Sequence, residues 1–113
     1  MIPPAPITFE DFQKVDIRIG TVIEIKDFLK ARIPAYQLLI DFGTLGKKHS
    51  SAQITSLYSK EDLLGKQVLA VINLNPKQIA NFKSECLVLG LQNEKDVVLL
   101  RAAKAVKNGT QVS

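Results

Sequence analysis

Residues 15–26 read VDIRIGTVIEIK, and their two-residue period decides the fold. Val15, Ile17, Ile19, Thr21, Ile23 and Ile25 point one way and Asp16, Arg18, Gly20, Val22, Glu24 and Lys26 the other, which predicts a half-buried β-strand. At about 3.3 Å per residue the strand would run about 40 Å, roughly twice the usual length, so a small domain holds it only by bending it. Gly20 is the expected bend, because a residue without Cβ tolerates the kink and leaves room for another segment to approach.

Working downstream, DFLKARIPA (27–35) predicts a loop with Lys30 and Arg32 exposed. YQLLIDFG (36–43) alternates Tyr36, Leu38, Ile40 and Phe42 against Gln37, Leu39 and Asp41, a second strand stopped by Gly43. KKHSSAQI (47–54) is a weaker third strand, continued by Ala52 and Ile54, whose small polar side chains leave space for something to come close. In SKEDLLG (59–65), Ser59 is an N-cap with Asp62 at N3, Leu63 and Leu64 turn inward, and Gly65 ends a short helix. The unbroken apolar run QVLAVINL (67–74) predicts a strand buried on both sides. Pro76 breaks it, and NPKQIANFKSE (75–85) reads as a polar, basic connection anchored by Ile79 and Phe82. CLVLGLQ (86–92) and VVLLRAA (97–103) read as paired strands joined at NEKD, and VKNGTQV (106–112) as a final hairpin or edge strand.

Upstream, residues 1–7 carry three of the five prolines and form an extended arm. TFEDFQK (8–14) predicts a short helix with Thr8 as N-cap and Asp11 completing a capping box. Phe9 and Phe12 share one face of it. A single turn does not stand alone, so the two rings pack on the domain's own barrel or on a second subunit.

Five core strands, a long bent one first and a short helix between the third and fourth, predict an all-β chain: a partly open, five-stranded Greek-key barrel of the OB type. A sandwich of similar strand count is the alternative. The 113 residues form one domain, 1–113, with 46% hydrophobic content to fill a core.

Composition narrows the function. No segment approaches the roughly 20 apolar residues of a bilayer span, and the N-terminus lacks a basic start followed by an apolar run, so the expectation is a cytoplasmic protein without membrane insertion. Cys86 and His49 stand alone, which leaves no internal disulfide, no Cys-based zinc cage, no expected metal and no expected cofactor. G-x-S-x-G, a glycine-rich phosphate loop and H-E-x-x-H are all missing, and Asp16 and Glu24, eight apart on one strand, lie too far from each other for acid–base work. The reading is a binding protein with no catalytic residues.

Charge points to the partner. Residues 1–46 hold five Lys/Arg against six Asp/Glu, a balance of −1, while residues 47–113 hold ten against five, a balance of +5. A cationic face suits a phosphate-bearing ligand, because released counterions supply affinity, whereas charge taken alone favours a plain solvated lysine-rich surface. OB barrels bind across one strand face and its bordering loops. The candidate RNA-binding set is Lys30 and Arg32 in the first loop, Ser50, Ser51 and Gln53 on the third strand, and Asn73, Lys77, Ser84 and Glu85 around NLNPKQIANFKSE. Lysines would sit on phosphates while Ser, Gln and Asn meet 2′-hydroxyls and splayed bases. The competing role is structural: Ser50 and Ser51 as turn formers, Asn73 and Glu85 as partners of buried backbone groups. With no tryptophan and most aromatics at inward positions, a folded RNA read by shape is a better fit than a bare strand.

VDIRIGTVIEI, SSAQITSLYSKEDLLGKQVLAVINLNPKQIANFKSECLVLG and their spacing resemble the tRNA-binding domain that occurs free-standing and at the C-terminus of methionyl-tRNA synthetases. TFEDFQKVDIRIG and ARIPAYQLLIDFG are most similar to its small free-standing, CsaA-like members, and the resemblance runs from about Thr8 to the end of the chain. It implies an OB fold, a homodimer, tRNA as partner, and binding of unfolded or preprotein peptides in connection with the secretion machinery. It places the RNA-facing polar set on Ser51, Asn73, Lys77, Ser84 and Glu85, with Lys30 and Arg32 as loop cations. The chain departs from many synthetase-appended members in having ARIPAYQL where they carry His-Pro-x-Ala, and Cys86 where they carry methionine.

Two functions therefore compete: a homodimeric tRNA-binding module with an export-related chaperone role, and a peptide-binding chaperone for preprotein secretion with little or no physiological RNA binding. In the second, grooves beside Tyr36, Phe82 or the dimer seam take apolar side chains. Phe9, Phe12 and the sparsely charged C-terminal segment VVLLRAAKAV are the expected dimerisation surface.

Overall fold

A computed structural model describes residues 2–113. Along the chain run α1 (Phe9–Gln13), β1 (Ile17–Asp27), β2 (Tyr36–Asp41), β3 (Lys47–Ala52), α2 (Lys60–Leu63), β4 (Gln67–Val71), β5 (Lys77–Ile79), β6 (Phe82–Ser84), β7 (Leu87–Val88), β8 (Gly90–Asn93) and β9 (Asp96–Leu99). The main sheet is antiparallel in the order β3-β2-β1-β4-β7, and it curls into a nearly closed five-stranded barrel of the OB type.

β1 makes the curl possible by serving two partners. Ile17–Thr21 pair with β4 and Thr21–Asp27 with β2, so Thr21 is the hinge at which one strand passes from one side of the barrel to the other. The break in register lies between Val22 and Glu24, where Ile23 is the extra residue of a β-bulge. The kink expected at Gly20 is thus displaced to Ile23. Gly20 instead makes room in the interior. A Cβ there would stand 2.6 Å from Ile40 Cγ2 and 2.7 Å from the Phe42 ring, so its bareness admits the two side chains that fill the barrel. The bulge also resets the alternation. Gly20 and Val22 face the interior before it and Ile25 packs against the core after it.

β2 buries Tyr36, Leu38 and Ile40 with Phe42 beyond them, as its alternation predicts. β4 departs from the reading of a strand buried on both sides: Val68, Ala70 and Val71 are buried while Gln67 and Leu69 are half-buried. The segment 75–85, expected as a connection, folds as a hairpin in which β5 pairs with β6 from Lys77↔Ser84 to Ile79↔Phe82. Its turn holds Ala80 at φ 52°, a left-handed conformation that alanine seldom adopts and that leaves no signal in the sequence. CLVLGLQ is divided: β7 joins the barrel beside β4, and β8 leaves it to pair with β9.

The helices follow their caps. Ser59 and Asp62 form the complete reciprocal box of α2, and Leu63 is buried, whereas Leu64, expected inward, is exposed. At α1 only half of the box forms: Thr8 Oγ1 accepts from the Asp11 amide, and the Asp11 carboxylate accepts instead from Lys14 Nζ at 3.1 Å. The C-terminal tail continues the sheet where β2 is absent, with Ile19 donating to Thr110 and Gly109 and Val112 donating to the Ile19 and Ile17 carbonyls.

Candidate functional site

Closure of the barrel creates the site. The edge of β3 has no full strand beside it, so its backbone groups bond to the segment 84–86, largely through side chains. Ser84 Oγ accepts from the Ser51 amide at 3.0 Å, Glu85 Oε1 accepts from the His49 amide at 2.9 Å, and the Glu85 amide donates to the His49 carbonyl at 2.8 Å. Ser50, at 0% exposure, donates its hydroxyl to the Cys86 carbonyl at 2.9 Å. Of these bonds only that of Ser50 to Cys86 is wholly buried, and leaving its acceptor unpaired would cost about 1–3 kcal/mol. Four of the side chains singled out in the sequence therefore meet at one seam, and three of them are fasteners.

Along the seam runs an open groove of about 460 Å³. Ser51, Gln53, Lys77, Ser84 and Glu85 from the candidate set line it, together with the apolar surfaces of Ile54, Leu74, Leu87 and Val97. Asn73 stands just before the groove and is engaged by backbone: its Oδ1 accepts from the Asp16 amide at 2.9 Å and its Nδ2 donates to the Lys14 carbonyl at 2.6 Å. Ser50 is withdrawn from the surface altogether. Tyr36, considered for peptide binding, is buried with its hydroxyl donating to the Tyr58 carbonyl at 2.8 Å, so it supports the barrel and presents nothing to a ligand.

The cations come from two loops that are clasped together. Phe28, at the start of the loop 28–35, meets Phe82 of the β5–β6 hairpin edge-on with ring centroids 5.4 Å apart, and Phe82 in turn meets the His49 ring of β3 at 5.4 Å. This aromatic row ties the loop carrying Lys30 and Arg32 to the hairpin carrying Lys77 and Lys83. All four cations are at the surface, and none is in an ion pair among the described residues. Lys83 and Phe28 were not singled out from the sequence. The period of β6, with Phe82 and Ser84 half-buried and Lys83 exposed between them, is the signal that finds the first. Leu29, 91% exposed, and Ile33 also project from the loop beside its cations.

Cys86 is buried at the back of the groove, and desolvation pushes its thiol up to about 11, so at neutral pH it is a neutral packing group. No group of three or more His, Cys, Asp or Glu side chains able to hold a metal ion occurs among the described residues. No helix is long and apolar enough to cross a membrane among those residues.

A family described as the putative tRNA binding domain matches residues 17–111. The chain superimposes with a TM-score of 0.92 on the crystal structure of the chaperone CsaA from Bacillus anthracis, at 55% identity over 96% of this chain and 100% of that one. On the CsaA chaperone protein from Picrophilus torridus the TM-score is 0.90, at 48% identity over 96% and 100% of the two chains. The methionine–tRNA ligase of Pyrococcus horikoshii is 37% identical over 108 residues, which cover 94% of this chain and 14% of the ligase. The chain thus spans about a seventh of the length of the ligases it matches.

Proposed function

Since the chain belongs to the tRNA-binding domain family, in its CsaA-like group, we propose that it is a binding protein, without catalysis, whose polar, cationic barrel flank holds a folded RNA of the tRNA type. One observation carries the reading: the aromatic row Phe28–Phe82–His49 joins the loop of Lys30 and Arg32 to the hairpin of Lys77 and Lys83, none of the four ion-paired among the described residues, and Lys77 lines the groove together with Ser51 and Gln53. Lysines and arginine neutralise phosphates, and the hydroxyl and amide groups are of the kind that meets 2′-hydroxyls and base edges. Ser84 and Glu85 contribute by holding that flank in shape, while Asn73 ties the end of β4 to the link between α1 and β1. Gel shift with bulk tRNA tests the proposal. Replacing Lys30, Arg32, Lys77 and Lys83 by glutamine should weaken binding at least tenfold and flatten its salt dependence, at about 0.7–0.9 of log-log slope for each phosphate no longer neutralised. Unchanged affinity in that variant would remove the flank from the interface.

The apolar half of the groove supports a second reading, in which an unfolded or preprotein segment lays its side chains against Leu74, Leu87 and Val97, in service of export from the cytoplasm, while Phe82 lies outside this groove in a separate small pocket beside His49. The chaperone descriptions of the two structural relatives favour it. Suppression of aggregation of a denatured client, insensitive to salt, is its mark.

The proposal includes a homodimer. Phe9 is 67% exposed and stacks on Phe12, at 6.4 Å, and Leu91 and Val106 are exposed nearer the other end of the chain. A twofold mate would cover these and bring two cationic flanks to one ligand.

A further inference from the structure

A second cationic surface lies on the wall of the barrel opposite β3. Its floor is the Thr21↔Gln67 pair of β1 and β4, one side is Lys66, and the other is the tail segment with Arg101 and Lys104. Together they enclose a groove of about 390 Å³ that shares no lining residue with the groove along the seam. No carboxylate lines it, and Lys66, Arg101 and Lys104 are in no ion pair among the described residues.

Side-chain hydrogen bonds hold the stretch up to Asn108, and backbone bonds join the tail to β1 from Gly109 onward. Residues 101–107 are all exposed and lack regular structure, so no burial of apolar surface keeps them in place. Gln67 grips the tail in both directions, Nε2 donating to the Val106 carbonyl and Oε1 accepting from the Val106 amide at 3.3 Å. The same Nε2 donates to Asn108 Oδ1 at 3.0 Å, as does Thr21 Oγ1 at 2.9 Å. These bonds stretch a cationic coil across the strands and fix Arg101 and Lys104 facing Lys66. The Asp62 carboxylate acts on Lys66 from the neighbouring crevice that it shares with Lys66 and Arg101, and the three cations still leave a net positive groove that suits an anionic ligand. Lys66, Arg101 and Lys104 are all exposed in the single chain.

We infer that Lys66, Arg101 and Lys104 form a second phosphate-backbone site, which a large folded RNA engages in addition to the β3 flank. The inference rests on the RNA-binding reading of that flank. Three phosphate contacts at about 0.7 each predict a log-log salt slope about 2 units shallower for bulk tRNA when all three cations are replaced by glutamine, with affinity about tenfold lower at physiological salt. The charge-conserving variant Lys66→Arg, Arg101→Lys, Lys104→Arg should keep the wild-type slope. Equal slopes for the wild type and the glutamine variant overturn the inference and leave the β3 flank standing. A charge-conserving variant as weak as the glutamine variant also overturns it, because charge is then not the cause. If removing the β3-flank cations changes nothing while removing these three abolishes binding, the proposed flank falls, and with it the assignment of this groove as an additional site. Should wild-type protein fail to bind tRNA, both fall. Vesicles of phosphatidylglycerol in phosphatidylcholine provide the last arm: charge-dependent pelleting with unaltered tRNA binding would make the groove a lipid contact and refute the RNA assignment.

Discussion

At Ser50 a hydroxyl lies wholly out of reach of solvent and donates to the Cys86 carbonyl, so alanine there strands a buried acceptor. The Ser50→Ala protein should lose about 1–3 kcal/mol in denaturant unfolding and keep its tRNA affinity, an outcome that separates a fastener from a contact. Gly20→Ala tests the barrel interior in the same way. The added methyl meets Ile40 and the Phe42 ring below 3 Å, and overpacking of this kind costs about 1–3 kcal/mol, read as a lower midpoint without change in slope. Cys86 offers a chemical test. Its raised pKa, about 11 against an ordinary 9.0, leaves roughly a hundredfold less thiolate at pH 8, so iodoacetamide should label the native protein far more slowly than the unfolded one. The sign follows: the neutral thiol's contribution is complete below pH 9.0 and is lost as the pH rises through about 11. Serines 50 and 84 and Glu85 were legible in the sequence as polar groups of one region, but their employment was not. The partners of these bonds stand 33 to 36 residues away, and no local pattern carries that distance.

Elements with local causes were readable in kind, although the α1 box forms only half and Leu64 turns outward. α2 announces itself because Ser59 and Asp62, three residues apart, satisfy each other's backbone amide within a single turn. Asp62, its carboxyl held below the ordinary 3.8 by the Ser59 amide and hydroxyl, carries a pH dependence: its contribution is complete above pH 3.8 and is lost as the pH falls through its lower folded value. Asp62→Asn should therefore flatten part of the acid limb of the unfolding midpoint. The β5–β6 hairpin was unreadable because its turn rests on Ala80 in a left-handed conformation, where glycine or asparagine would have announced it. Similarly, the long first strand was legible as bent, yet a bulge at Ile23 costs the pattern only one residue and hides inside an apolar run. The clasp between loop and hairpin makes an element-scale prediction. Phe82→Ala deletes its edge-on contacts with Phe28 and His49, about 1 kcal/mol each, and should weaken tRNA binding by loosening Lys30 and Arg32 without altering any cation.

For the molecule as a whole, the surplus of positive charge after residue 46 was visible from composition, and so was an OB barrel from five strands around a bent first one. What composition hid is that the cations divide between two opposite walls, since Lys66 and Arg101 belong to one groove and Lys77 to another only after the sheet has curled. The proposed dimer makes its own test at this scale: Phe9→Ser together with Leu91→Ser should halve the sedimenting mass and reduce avidity for tRNA, while the barrel stays folded. The central claim, that the flank of β3 with its clasped loops grips RNA, is tested most directly by amide hydrogen exchange with and without bulk tRNA. Slower exchange should concentrate in residues 28–35, in β3 and in the β5–β6 hairpin. Protection confined to α1 and β8–β9, or none anywhere under conditions where RNA is bound, would contradict it.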